Sequence, residues 1–194
     1  MALGGTIRGK TTTLRLPVEA DLASYNDWMA EMRVRHAHWV WHEPAMPATW
    51  KERFTEAAKD KQLLLWSIES GGVLVGFAVA HLWSMGNSVD LNHLVIDPER
   101  WRRGYGCDAA LALHRFFFDY LDLRRAQADT RADNAAALRI AEAMGYVEYA
   151  RGHNAHYRNG SYVDEVKLIV EKEAWQERWR SEREYPPVPP EAVR

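Results

Sequence analysis

The chain has 194 residues, enough for one well-filled domain rather than two. Its 47% hydrophobic and 27% charged residues suit a soluble globular protein, and a formal net charge of −2 gives no global reason to bind nucleic acid or an anionic membrane. No stretch approaches the ~18 to 20 consecutive apolar residues of a membrane span. The opening MALGGTIRGK lacks the apolar centre of a secretory leader. The single cysteine, Cys107, rules out an internal disulfide and fits a reducing cytoplasm.

In chain order, residues 11–16 alternate as an edge strand ended by Pro17. Residues 21–32 read as a helix, with Leu22, Tyr25, Trp28, Met29 and Met32 on one stripe. The segment from His36 to Pro44 has no clean period and reads as a loop, and Thr49 suits the N-cap of a short helix through Lys59. Residues 63–69, the Gly71-Gly72 turn and residues 73–83 form a strand–turn–strand signal, and Gly86-Asn87 turns the chain into a third strand, 89–96. These three strands predict an antiparallel meander. A helix over 106–121 and a strand over 126–130 then complete a β-α-β crossover. A second helix, 134–144, closes at Gly145, a suitable left-handed cap. Strands at 146–150 and 163–170 follow, parted by Asn159-Gly160. A short charged helix begins near Trp175, and a proline-rich tail is expected to be extended. No internal repeat or linker divides the chain, so the expectation is one domain over 1–194, with its core about residues 11–175.

The stretch DPERWRRGYGCDAA, residues 97–110, joins the third strand to the central helix. A strand, a glycine-bearing turn and a helix start point free backbone N–H groups at an anion, with the helix dipole adding partial positive charge. Arg102 and Arg103 make the turn read as a pyrophosphate cradle. Neither the Gly-x-Gly-x-x-Gly dinucleotide fingerprint nor a Walker loop is present. The frame Trp101-Arg102-Arg103-Gly104-Tyr105-Gly106 instead resembles the coenzyme A loop of the GNAT acetyltransferases, Gln/Arg-x-x-Gly-x-Gly/Ala, with Trp101 in the Gln/Arg place. Asn134-Ala135-Ala136-Ala137, ending in Met144-Gly145-Tyr146, resembles the family's Asn-x-x-Ser/Ala helix closing in Gly-Phe/Tyr. Arg151, Asn159-Gly160, Asp164-Glu165-Val166 and Glu173-Ala174-Trp175 are similar to the closing pattern of the Rim-type branch, the ribosomal-protein alanine N-acetyltransferases. The likeness covers roughly residues 63–175; before that only the element order matches.

The resemblance implies an α+β GNAT fold: a mixed central sheet of about six or seven strands, an antiparallel N-terminal meander, a splayed parallel pair at the coenzyme site, and about four flanking helices. It assigns Leu94, Val95 and Ile96 backbone contacts to the acetyl-pantetheine arm, and it places the pyrophosphate on the loop from Trp101 through Arg102, Arg103, Gly104, Tyr105 and Gly106 to Cys107. Asn134 would hydrogen-bond the pantetheine. Acetyl-CoA is the implied cosubstrate, with no metal, and the family's dimers, with the apolar last strands, permit a homodimer. The reaction implied is direct attack of a neutral amine on the thioester, which needs a base or water relay to remove the ammonium proton. Asp90 is the first choice of base, because strand parity places it on one face with Asn92, Leu94 and Ile96. Glu43 and His93 are second choices.

A protein or peptide α-amine is the leading acceptor from the Rim-type likeness. A small amine, such as an amino acid, a polyamine or an antibiotic, is the alternative, and a non-catalytic acyl-CoA sensor is the rival. Trp39, Trp41 and Glu43 are the acceptor-pocket residues put forward, although the two tryptophans serve equally well as core caps. Relatives carry a Tyr seven residues, or a Ser three residues, after the helix-starting Asn to protonate the thiolate; here those positions are Ala141 and Ala137. His36, His38 and His42 lack the partners of a zinc site, and Cys107 reads as a small residue packed under the loop in preference to a reactive thiol.

Overall fold

Two tight turns set the N-terminal half of the sheet. Gly71 and Gly72 have positive φ, and the left-handed Asn87 sits at the second turn. The computed structural model describes residues 6–37, 47–158 and 160–180. Among these residues eight strands pair in one sheet: β1 (Ile7–Arg8), β2 (Thr13–Arg15), β3 (Leu63–Ser70), β4 (Val73–Trp83), β5 (Ser88–Ile96), β6 (Arg125–Arg131), β7 (Val147–Arg158) and β8 (Ser161–Glu171). Their spatial order is β1-β2-β3-β4-β5-β6-β8-β7. The β3–β4–β5 meander is antiparallel, and β5–β6 is a parallel pair bridged by the crossover helix. The count exceeds the expected six or seven because β1 spans only two residues, too few to leave a pattern in the sequence.

Among the described residues six helices flank the sheet, where about four were expected. The helix predicted over 21–32 ends earlier, as α1 (Asp21–Ala30), because Glu31 leaves helical geometry at ψ 132°, and an unpredicted helix, α2 (Met32–Ala37), runs into the start of the segment expected to be a loop. The others are α3 (Pro47–Lys59), α4 (Tyr105–Arg115), α5 (Ala135–Met144) and α6 (Lys172–Arg178). The expected helix to residue 121 persists in extent, but Phe116–Tyr120 widens into a π-turn, and Phe116, Phe117 and Phe118 are all buried there.

Apolar clusters lie on both faces of the sheet. On one face, Phe77, Val79 and Val95 pack with Leu22, Tyr25 and Met29 of α1 and Trp50 of α3. On the other, Ala78, Ala80, Leu94 and Ile96 meet Ala109, Leu113 and the phenylalanines that follow α4. A buried polar chain ties α1 to the sheet: Tyr25 Oη to Ser67 Oγ at 2.6 Å, Ser67 Oγ to Asp21 at 2.6 Å, and Asp21 to Arg15 at 2.7 Å. The first turn of α4 is fastened to the β1–β2 turn, where the Asp108 carboxylate accepts from the backbone N–H groups of Lys10, Thr11 and Thr12.

The β4–β5 register slips between Val79 and Ala80: Val79 faces His93, whereas Ala80 faces Leu91. Asn92 is therefore an extra, bulged residue, and a bulge reverses the side-chain alternation beyond it. Asp90, opposite His81, shares a face with His93 and Val95, while Leu94 and Ile96 lie on the other face with Ala78 and Gly76. The expectation that Asp90 shares a face with Leu94 and Ile96 is thus corrected. Strict alternation holds only without a bulge.

The parallel β5–β6 pairing is short. It joins Ser88–Asp90 to Arg125–Gln127 and stops. Asp97 N–H donates to Val75 O, which fixes the hydrogen-bonding phase along the end of β5. By the alternation of an antiparallel ladder, Val95 bonds to β4, and the N–H and C=O groups of Leu94 and Ile96 point away from it, into the gap before β6.

At Gly76 the sheet leaves no room for a side chain, since a Cβ there would collide with the Val95 carbonyl oxygen and with Ile96. Gly76→Ala is expected to lower stability in urea denaturation by roughly 2 to 3 kcal/mol. Gly71→Ala, with positive φ but nothing within 4 Å, should cost only about 1 kcal/mol.

His114 on α4 is buried, and loss of hydration pushes its pKa down from 6.5 to about 4. Below the unfolded value the denatured chain binds a proton that the native chain refuses, so stability should fall as pH drops from about 6.5 toward 4. Denaturant midpoints measured across this window should fall for the native sequence, and His114→Gln should flatten the slope.

Candidate active site

The turn between β5 and α4 is built by local hydrogen bonds. Asp97 caps a 3-10 turn over Pro98–Arg100, accepting from Glu99 N–H at 3.0 Å. Arg102 and Gly104 both take left-handed backbone, with φ 64° and 83°, and α4 begins at Tyr105. Gly106 packs where a Cβ would press on Ile140 at 3.2 Å. Free N–H groups at the first turn of α4 thus face outward beside two glycines, the geometry for an anion.

A cleft of about 690 Å³ runs from this turn into the gap between β5 and β6. Leu94, Val95, Ile96, Trp101, Arg102, Gly104, Tyr105, Gly106, Cys107 and Asn134 all line it, so ten of the eleven residues expected to hold the coenzyme come together. Arg103 is exposed and is not among the lining residues. Trp101 is 39% exposed, and its indole N–H donates to Ile96 O at 2.8 Å, which fastens the loop to the end of β5. Asn134 caps α5, its Oδ1 accepting from Ala137 N–H at 3.2 Å. Cys107 is exposed rather than packed under the loop as expected; partial loss of hydration, then the Asp108 charge, still pushes its thiol up, which disfavours a reactive thiolate.

The acceptor-pocket residues Trp39, Trp41 and Glu43 lie outside the described residues, as do His38 and His42. Asp90 is half-buried and accepts from Trp83 Nε1 at 2.6 Å, and it is not part of the cleft wall. A different carboxylate is. Asp129 of β6 lines the cleft with Leu91, Asn92 and Thr130, at the end remote from the glycine turn. Loss of hydration pushes its carboxyl up; the nearby Lys167 opposes this, and Glu165 and Asp90 add to it. Lys167 Nζ lies 3.6 Å from Asp129 and 3.6 Å from Glu165. No sequence signal marks Asp129: its place beyond the three paired residues of β6, where the splay exposes a strand edge, is set by strand register.

Ala137 and Ala141 both line the cleft, so the positions where relatives carry Ser and Tyr are correctly placed but hold no proton donor. Tyr146, also in the wall, does not replace them. His114 Nδ1 lies 2.7 Å from Ala110 O, an acceptor only, so that nitrogen carries the proton. His114 Nε2 then accepts from the Tyr146 hydroxyl at 2.8 Å, and the phenol proton is directed into the core.

Residues 11–147 match the family model described as an acetyltransferase (GNAT) domain. No curated protein matches the chain. Among solved structures, spermidine N-acetyltransferase from Vibrio cholerae in complex with CoA and spermine is 18% identical, with a TM-score of 0.77 over 85% of this chain and 98% of its own. A GNAT-family acetyltransferase from Bacillus anthracis is 17% identical, with a TM-score of 0.74 over 87% of this chain and 99% of its own. A GCN5-related N-acetyltransferase from Brucella melitensis is 16% identical, with a TM-score of 0.73 over 91% of this chain and 83% of its own. At such identities the structural likeness is one of fold; the family match, over well more than half the length, says more, and the chain belongs to the GNAT acetyltransferases as an acetyl-transferring enzyme.

Proposed function

We propose that the chain transfers the acetyl group of acetyl-CoA to a small cationic amine, with Asp129 as the base. The observation that carries this reading is the position of Asp129: its carboxylate ends the cleft, with Asp90 and Glu165 close enough to add to its charge. Three carboxylates against the one Lys167 ammonium leave this end negative, which attracts an ammonium group and favours a polyamine-like acceptor over a neutral one. The Vibrio cholerae relative bound to spermine supports the same class. The Rim-type branch, and with it a peptide α-amine, has no support among these relatives and becomes the second reading. A spermidine acetyltransferase of that organism is also described as dodecameric, which supports self-association here.

The groups along the cleft suit the parts of the coenzyme. The outward N–H and C=O groups of Leu94 and the N–H of Ile96 pair with the pantetheine amides as an added strand would. The turn from Arg102 to Cys107 takes the pyrophosphate. Asp129 accepts a proton from the bound ammonium, the neutral amine attacks the thioester carbonyl, and a β5 N–H steadies the oxyanion. Collapse of the adduct breaks the C–S bond. Two protons leave nitrogen in all: one passes through Asp129 to solvent, and one reaches the departing thiolate.

Thiol release from acetyl-CoA should be fastest with di- and polyamines and slow with peptides of any first residue. The opposite ranking would restore the peptide reading. Asp129→Asn should lower kcat on the order of a hundredfold with little change in the KM for acetyl-CoA. Because the Asp129 carboxyl is raised, activity should climb with pH at a point above the ordinary aspartate range, and the variant should lose that limb. If Asp90→Asn removes it instead, Asp90 is the base.

A further inference from the structure

Arg33 stands apart from the other cations at the cleft. Arg100 and Arg102 belong to the glycine turn itself and Arg139 to α5, whereas Arg33 comes from α2, which follows the helix packed on the opposite face of the sheet from α4. Its guanidinium reaches into the cleft wall, with its Cζ 6.0 Å from the centre of the Trp101 ring. There it pairs with two carboxylates, Glu31 on its own segment and Glu99 of the turn. Neither pair is buried: the side chains are 52% exposed for Arg33 and 75% for Glu99. Exposed pairs of this kind contribute little, so exchanging one partner for another costs little.

We propose that Arg33 is a phosphate ligand for coenzyme A, held ready by Glu99. In the free enzyme the Glu99 carboxylate stands in for the ligand. A coenzyme phosphate entering beside Trp101 takes over the guanidinium through charge-assisted, bidentate hydrogen bonds, the geometry for which arginine is suited. Glu99 then remains as a like charge next to the bound anion and opposes binding. The arrangement lets the helical layer that precedes residues 38–46 grip the coenzyme from the side opposite α4. Trp101 serves as the platform, since its own N–H is already committed to Ile96 O. The inference rests on the family's use of coenzyme A and not on the identity of the acceptor.

Equilibrium binding of coenzyme A, with no amine present, tests it. Arg33→Gln should raise the Kd roughly ten- to a hundredfold, and Glu99→Gln should lower it roughly two- to fivefold. With S-acetylpantetheine, which carries no phosphate, the KM should be the same for Arg33→Gln and the native enzyme. 3′-Dephospho-CoA assigns the group: a penalty that persists points to the pyrophosphate, and one that vanishes points to the 3′-phosphate. A purely structural Arg33–Glu99 pair would make both variants bind coenzyme A more weakly, and the S-acetylpantetheine KM would rise with them. Either result, or an unchanged Kd in a folded Arg33→Gln, overturns the proposal.

Discussion

The site depends on a pairing that stops. β5 and β6 run parallel and hold together over three residues each, then part, and beyond Asp90 and Gln127 both strands have an edge inside the sheet. Backbone groups at such an edge would normally be satisfied by a neighbour. Here Ile96 O is taken by the Trp101 indole, and the remaining outward groups of Leu94 and Ile96 are left for an amide-bearing ligand. The α4 helix begins where β5 ends, so the free N–H groups of its first turn sit next to that edge. One discontinuity in the sheet therefore places an amide ladder, an anion cradle and the cleft-wall carboxylate Asp129 along a single groove.

Charge is divided along that groove. The turn end carries Arg102 together with Arg33 and Arg100, which pair with Glu31, Glu99 and Asp97, and the far end carries Asp129, Glu165 and Asp90 around the single Lys167. A net charge near zero conceals this separation. It matters because the two reactants of an acetyl transfer to an amine have opposite charge, and each end of the groove favours one of them.

The glycine turn is legible in the sequence because its geometry is local: glycines at fixed offsets, adjacent arginines, and a strand and helix on either side. The Asn134 cap and the Gly145 terminator are legible for the same reason, and Gly145 has φ 88°. What escapes a sequence reading is whatever register decides. The bulge at Asn92 is one inserted residue with no compositional mark, yet it moves Asp90 to the face opposite Leu94 and Ile96. Asp129 is hidden likewise, since its surroundings are set by pairing opposite Lys167 on β8. Arg151 and Asp164, which carry the likeness to one branch, lie 3.3 Å apart across the last hairpin. Residues that support a resemblance need not take part in chemistry.

Amide hydrogen exchange along β5, read residue by residue with and without coenzyme A, tests the splayed edge most directly. The account predicts slower exchange at Leu94 and Ile96 on binding, with Val95, already bonded to β4, little changed. Equal rates at Leu94 and Ile96 in the two states would contradict it, because the coenzyme would then not be adding itself to the open edge of the sheet.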